Sequence, residues 1–292
     1  MARRLVGFMI DCERAGLGAA ARFWSKALGL PVEDADEGGE GRYALLGAGP
    51  GGLHIEVQVV EHASRLHLDI EADDIDAEAD ALEALGATRV GKPHGRWWVM
   101  QAPTGHRFCL VRKRPPAKPS RPRKAARAAG HHSALVALVI DCQADTLAPA
   151  LAFWSAALGR DVVDADQDGD GRYAELASAA DEPFVLLQRV EHEPRVHLDI
   201  ETDDLDAEVA RLEALGATRE GFCKRWWVLR APTGHRFCVV GQQPAKSGLR
   251  RNAWDRVAGE DGRPFSWRAC SSECMCSSTR SARRPGSARY CT

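Results

Sequence analysis

The chain has 292 residues, enough for about two domains of ordinary size, each with its own core. A formal charge of -2 gives it no overall basic character, and no apolar run approaches the roughly 18 residues of a membrane-spanning helix. Nine cysteines without a disulfide-scaffold spacing fit a reducing cytoplasm, and the apolar run before Asp11 is too short for a secretory signal.

In chain order, residues 5–10 read as a strand. A helix follows in which Leu17, Ala21, Trp24 and Leu28 recur at helical spacing before Gly29. "PVEDA", "RYALLG" and "LHIEVQVV" read as extended segments. The pattern then restarts. "RLHLDIE" is a strand, Asp73 or Asp74 caps a helix carrying Ile75, Ala79, Leu82 and Leu85 on one face, and Gly86 ends it. "ATRVG", "RWWVM" and "HRFCLVR" close the unit, which is therefore βαβββ written twice.

The whole unit is itself repeated. A shift of 130 places lays "RLHLDIEADDIDAEADALEALGATRVG" on "RVHLDIETDDLDAEVARLEALGATREG" with 20 of 27 identities. "RWWVMQAPTGHRFC" returns as "RWWVLRAPTGHRFC" with 12 of 14. We therefore expect a first domain over 1–112, a basic Pro/Ala linker over 113–133, a second domain over 134–241 and a disordered Arg/Ser/Cys-containing tail over 242–292. The two domains are expected to fold as separate units that can also pack on each other. The tail's "CSSECMC" lacks a second pair at finger spacing and is not read as a zinc motif.

"FWSKALG" after the first strand, "HLDIEADD" opening the second half and "APTGHRFCLV" closing it resemble the vicinal oxygen chelate superfamily, and within it the glyoxalase-like domains of bacteria. The resemblance covers about three quarters of the chain. It implies an α+β fold in which two βαβββ modules per domain form a curved, cup-like sheet with helices outside. It also implies a small-molecule site in each cup, and members of the superfamily include lyases, isomerases, oxygenases and metal-free antibiotic-binding proteins. Fold alone does not choose among these.

Strand alternation nominates the cup-facing residues. In domain 1 these are His54, Glu56, Gln58, His67, Asp69, Arg107 and Cys109; in domain 2 they include Gln188, His197, Asp199 and Cys238. One of each tryptophan pair, Trp97 with Trp98 and Trp226 with Trp227, is expected in the core and the other as a stacking wall. Metal-binding members of the superfamily take ligands from the first and last strands of each half. Carried over by position, the resemblance offers Glu56 and His67 as catalytic and metal-binding residues. Arg4 and Cys109 depart from the pattern, while His54, Gln58 or the Cys109 thiolate remain as candidates for a third ligand. A divalent cation is thus expected in domain 1 only, since domain 2 has Ala134, Leu186, His197 and Cys238 at the four places.

Blander readings stand beside these. The His-Asp-Glu faces could meet solvent, Cys109 and Cys238 could be small core residues, and His106 and His235 could serve only the "PTGH" turn. Replacement of His54 and Glu56 by Phe184 and Leu186 makes the second cup the apolar one. The expected function is a small-molecule site, either a weakly metal-dependent lyase, isomerase or oxygenase in domain 1 or a metal-free ligand-sequestering protein. A nucleic-acid role through the basic linker and tail is a third reading, disfavoured because the linker lacks interleaved aromatics.

Overall fold

The computed structural model describes residues 3–13, 16–113, 130–165, 169–242, 249 and 251–254. Domain 1 runs β1 (Arg4–Glu13), α1 (Leu17–Leu28), β2 (Val32–Asp34), β3 (Tyr43–Leu46), β4 (His54–Val60), then β5 (Arg65–Ala72), α2 (Ile75–Ala84), β6 (Thr88–Gly91), β7 (Trp98–Gln101) and β8 (Arg107–Arg112). Domain 2 repeats the order as β9 (His131–Gln143), α3 (Ala148–Leu158), β10 (Val162–Asp164), β11 (Tyr173–Leu176), β12 (Phe184–Val190), β13 (Arg195–Thr202), α4 (Leu205–Ala214), β14 (Thr218–Cys223), β15 (Trp226–Arg230) and β16 (Arg236–Gly241). β17 (Asn252–Trp254) completes the set.

Each domain builds one sheet. In the first the order is β2-β3-β4-β1-β5-β8-β7-β6, so the two βαβββ halves meet at an antiparallel β1/β5 seam, with β4 parallel to β1 and β8 parallel to β5. This pairing brings the four central strands side by side and gathers their alternate residues on one concave face. The other face is apolar. Phe8, Ile10, Ile55, Leu68, Ile70 and Phe108 there are at most 1% exposed and pack under the helices.

The cores of the two domains form one continuous apolar cluster. Trp24 on α1 stacks edge-on against Phe237 and His235 of the second domain, and Trp154 on α3 does the same with Phe108 and His106 of the first. The polar atoms are paired with equal symmetry. Trp154 Nε1 donates to Thr104 Oγ1 (3.1 Å), Thr104 Oγ1 lies 2.9 Å from His106 Nδ1, and His106 Nε2 donates to the Arg195 carbonyl (3.1 Å). Trp24, Thr233, His235 and the Arg65 carbonyl form the mirror chain. The two domains thus pack on each other: each presents an indole and an imidazole whose apolar faces and N–H groups are met by the other.

Two boundaries also shift. β9 begins at His131, inside the stretch taken as linker, because the His131 ring is buried against Glu208 at 2.7 Å. Residues 114–129 lie outside the described residues. Within the tail taken as disordered, Asn252–Trp254 pairs with β9. Trp254 Nε1 donates to Ser133 Oγ (2.7 Å), and its ring lies 3.8 Å from the Arg211 guanidinium. Asn252 Nδ2 donates to the Leu28 carbonyl (3.0 Å) at the end of α1. Gly29, at φ +69, closes that helix in the left-handed conformation, and a Cβ there would strike the Asn252 side chain. Leu249 packs with Val136, Ala137, Val139, Phe184 and Leu186. The strap is held because it supplies hydrogen bonds and apolar cover that the sheet edge and the α1 carbonyls otherwise lack. The remaining tail, 255–292, including "CSSECMC", lies outside the described residues.

Candidate functional site in two cups

The concave face of domain 1 encloses a cavity of about 290 Å³, lined among others by Glu56, Gln58, His67, Asp69, Trp97, Arg107 and Cys109. In domain 2 the cavity is about 720 Å³ and includes Gln188, His197, Asp199, Trp226 and Cys238. Three nominated residues are not in the cavities. Trp98 and Trp227 project from the opposite side of their strands. Trp98 donates to Asp76 (2.7 Å) with Arg89 and Lys92 against its ring, and Trp227 packs on Phe222 and under Arg219. Alternation forces this split, since neighbouring strand residues point to opposite faces. His54 is turned toward Glu56, with which its ring is paired, and groups with Glu37 rather than with His67.

Asp11 and Asp141 were not nominated, yet each anchors its cup. Asp11 Oδ2 accepts from His67 Nδ1 (2.9 Å) and Arg65 Nε (3.2 Å); Asp141 Oδ2 accepts from His197 Nδ1 (3.0 Å) and Arg195 Nε (2.9 Å). Both carboxylates are 1% exposed. The signal was present in the sequence as a charged residue ending an apolar strand run, "IDC", in both copies. Burial disfavours the Asp11 charge, but the His67 hydrogen bond and the Arg65 and His62 charges outweigh it and hold the carboxyl below its usual range. Burial likewise opposes a charged His67, yet the adjacent Cys109 sulfur and Asp11 raise the ring well above the usual imidazole value. His197 is raised in the same way by Asp141 and Cys238. Burial pushes the Cys109 thiol up, and the Cys238 thiol to about 11. In each cup floor the aspartate is thus held toward its charged form and the histidine toward its protonated form, while burial opposes the thiolate.

The strand register also corrects the ligand count. Met9, not Arg4, lies opposite His67 on β5 and Glu56 on β4. Arg4 is exposed and pairs with Glu71 at 3.6 Å. The reason is that Gly16, not Asp11, caps α1, so Asp74 before α2 corresponds to Gly16. In domain 2 the same position is Val139.

A glyoxalase-like domain profile matches residues 7–111 and again 137–240, more than two thirds of the chain. The chain belongs to the glyoxalase-like domain family. Its fold is that of the vicinal oxygen chelate proteins. The 2,2',3-trihydroxybiphenyl 1,2-dioxygenase of Sphingomonas wittichii RW1 superposes with a TM-score of 0.54 at 17% identity, over 89% of this chain and 99% of the other. The Mn(II)-bound glyoxalase of Novosphingobium aromaticivorans gives 0.54 at 17%, over 86% and 85%. An extradiol ring-cleaving dioxygenase from B. fuscum gives 0.56 at 15%, over 87% and 77%. At these identities the likeness concerns the fold alone. No curated protein matches the sequence.

A hard ion of the Mn(II) type does not fit the donors that the family positions supply here. In cup 1 the row across β4, β1 and β5 is Glu56, Met9 and His67, and the thioether in its middle is a poor ligand for such an ion. Glu56 groups with Glu37 and His54, while His67 groups with Asp69 and Cys109, so the two residues that the resemblance offered as joint ligands belong to different clusters. In cup 2 the row reads Leu186, Val139, His197.

The interface histidines give a pH dependence. Burial lowers the pKa of both His106 and His235, outweighing their carbonyl partners, and the Thr104 and Thr233 hydroxyls occupy the Nδ1 lone pairs. Their contribution to stability is fully present above the unfolded value of about 6.5 and is lost as pH falls through the lower folded values. Denaturant titrations between pH 8 and 5 are expected to show stability falling below about pH 6.5, with a shallower slope in His106→Asn/His235→Asn. A slope unchanged in that variant contradicts the assignment.

Proposed function

We propose that the protein binds small organic molecules in its cups, the second cup taking the larger ligand, with an apolar body and one polar group. The observation that carries this reading is the second cavity. Its wall of Val136, Val139, Phe184, Leu186, Trp226 and Val240 stands beside a polar floor of His197 and Asp199. An apolar wall with a few convergent polar groups is the usual make-up of a small-molecule site. Leu249 of the strap extends the same wall. His197, held by Asp141 through Nδ1, has Nε2 left to hydrogen-bond a carbonyl, hydroxyl or carboxylate oxygen of the ligand.

A second reading, turnover in the first cup, is favoured by the Asp11–His67 pair beside Glu56. Together they offer a positioned acid and a second carboxylate around a cavity large enough for a compact substrate. A lyase, isomerase or oxygenase would each use such a pair, whereas ligand sequestration would need only the walls.

The test is binding of an amphipathic aromatic probe, 1-anilinonaphthalene-8-sulfonate, followed by its fluorescence, with catechols and other small aromatics as competitors. Leu186→Glu is expected to weaken binding at least about tenfold, because the wall would have to hold an unpaired carboxylate. Glu56→Leu is expected to leave probe binding in the second cup unchanged. Equal affinity in wild type and Leu186→Glu overturns the proposal.

A further inference from the structure

We propose that the first cup selects an organic anion, holding the carboxylate or phosphate group of a compact ligand on Arg107. The inference rests on reading the cups as small-molecule sites, and it gives the first cup a ligand class of its own.

Strand pairing sets Arg107 at the cup floor. β8 runs parallel to β5 with Phe108 in register with Leu68, so Arg107, one residue back, comes beside His67 and shares the concave face with Cys109. Arg65 stands on the same face of β5, two residues before His67. These three side chains gather around one carboxylate. Asp11 accepts from Arg65 Nε (3.2 Å) and His67 Nδ1 (2.9 Å), and it is not paired with Arg107. The other carboxylates lining the cavity are engaged elsewhere: Glu56 is paired with His54, and Asp69 Oδ1 lies 3.8 Å from His67 Nε2. Among the described residues, Arg107 Nη1 is buried and makes no hydrogen bond. Burial opposes the Arg107 charge, and the nearby Arg65 adds repulsion. A bound oxyanion would offset both.

The second domain holds the partnered version of the same residue. Arg236 stands at the place of Arg107 and is ion-paired with Glu220, which also holds Arg230. Glu220 is the bulge residue between Arg219 and Gly221 on β14. On β6 the bulge falls at the matching point, between Arg89 and Gly91, but the residue there is Val90, 49% exposed, and Gln101 stands in place of Arg230. The chain thus neutralises this arginine in the large apolar cup and leaves it to a ligand in the small one. A guanidinium matches the paired oxygens of a carboxylate or phosphate with two parallel N–H bonds. The cavity of about 290 Å³, with Trp97 and Val99 on its lining, has room for one ring or a short chain attached to that group.

Isothermal titration calorimetry of the full chain with benzoate, phenyl phosphate and neutral benzyl alcohol tests the proposal. At least one of the two anions is expected to saturate a single site per chain and to bind at least about tenfold more tightly than the alcohol. Arg107→Met is expected to remove that preference. Val90→Glu is expected to do the same with the arginine still in place, because this exposed substitution gives Arg107 a carboxylate of the chain's own. Equal affinities for the three compounds, no binding of either anion, or an anion preference that survives in either folded variant would overturn the proposal. Binding of 1-anilinonaphthalene-8-sulfonate in the second cup is a separate readout. Leu186-dependent probe binding without an anion preference overturns this inference alone, whereas equal probe affinity in wild type and Leu186→Glu overturns the reading on which it rests.

Discussion

Replacing Trp24 and Trp154 by alanine is expected to cost about 3–5 kcal/mol at each site. Both indoles are fully buried, and each fills the junction between its own helix and the other domain's "PTGH" turn and last strand. Alanine would leave a cavity there and remove the indole N–H that the Thr104 or Thr233 hydroxyl accepts at 3.1 Å, leaving that hydroxyl only its histidine partner. Wild type should unfold in one denaturant transition. Trypsin cutting within 114–129 should leave two fragments that still elute together in gel filtration. The double variant should release them. Fragments that separate in wild type, or a double variant within about 1 kcal/mol of it, would contradict the single-core description. Trp24→Phe and Trp154→Phe keep most of the apolar contact and isolate the hydrogen bond, for which about 1 kcal/mol is expected.

Glu208→Ala should be comparably severe. Glu208 is 0% exposed, and its carboxylate accepts from His131 Nε2, Arg211 Nε and an Arg211 terminal nitrogen, each at 2.7 Å. The same guanidinium donates to the Lys26 and Ala27 carbonyls at 2.8 and 3.0 Å and lies under Trp254. One carboxylate thus orients a cation that caps α1, holds the strap and joins the domains. Its removal strands that cation, 7% exposed, away from water, which costs about 3–5 kcal/mol. Hydrogen exchange should rise at residues 26–30 and 251–254 together. In domain 1, among the described residues, Glu78 pairs with Arg3 at 3.2 Å without a guanidinium bonded to helix carbonyls of the other domain, and Glu78→Ala should cost less. Equal costs for the two variants would show that the bridging contacts contribute nothing.

Much of this protein was legible in its residues. The 130-place repeat determined two like domains, and the period of 2 in "RLHLDIE" determined that His67 and Asp69 share a face opposite Leu66, Leu68 and Ile70, because a strand's side chains alternate whatever it pairs with. The same rule split Trp97 from Trp98, though not which of them faced the cup. Partners brought together by folding were decided only in three dimensions. Met9 rather than Arg4 stands beside His67 because α1 is capped at Gly16, so the seven-residue count from cap to strand ends on Met9, and the pairing of β1 with β4 and β5 puts it in register with Glu56 and His67. Asp11 meets His67 across 56 residues, and His106 meets the Arg195 carbonyl across 89. The strap has no periodicity that marks it as a strand, and its three residues pair only because β9, α1 and Arg211 present the edge, the carbonyls and the cation that hold it. Local pattern sets which way a side chain points; what it meets depends on which distant segment packs opposite it, and that is a property of the folded chain alone.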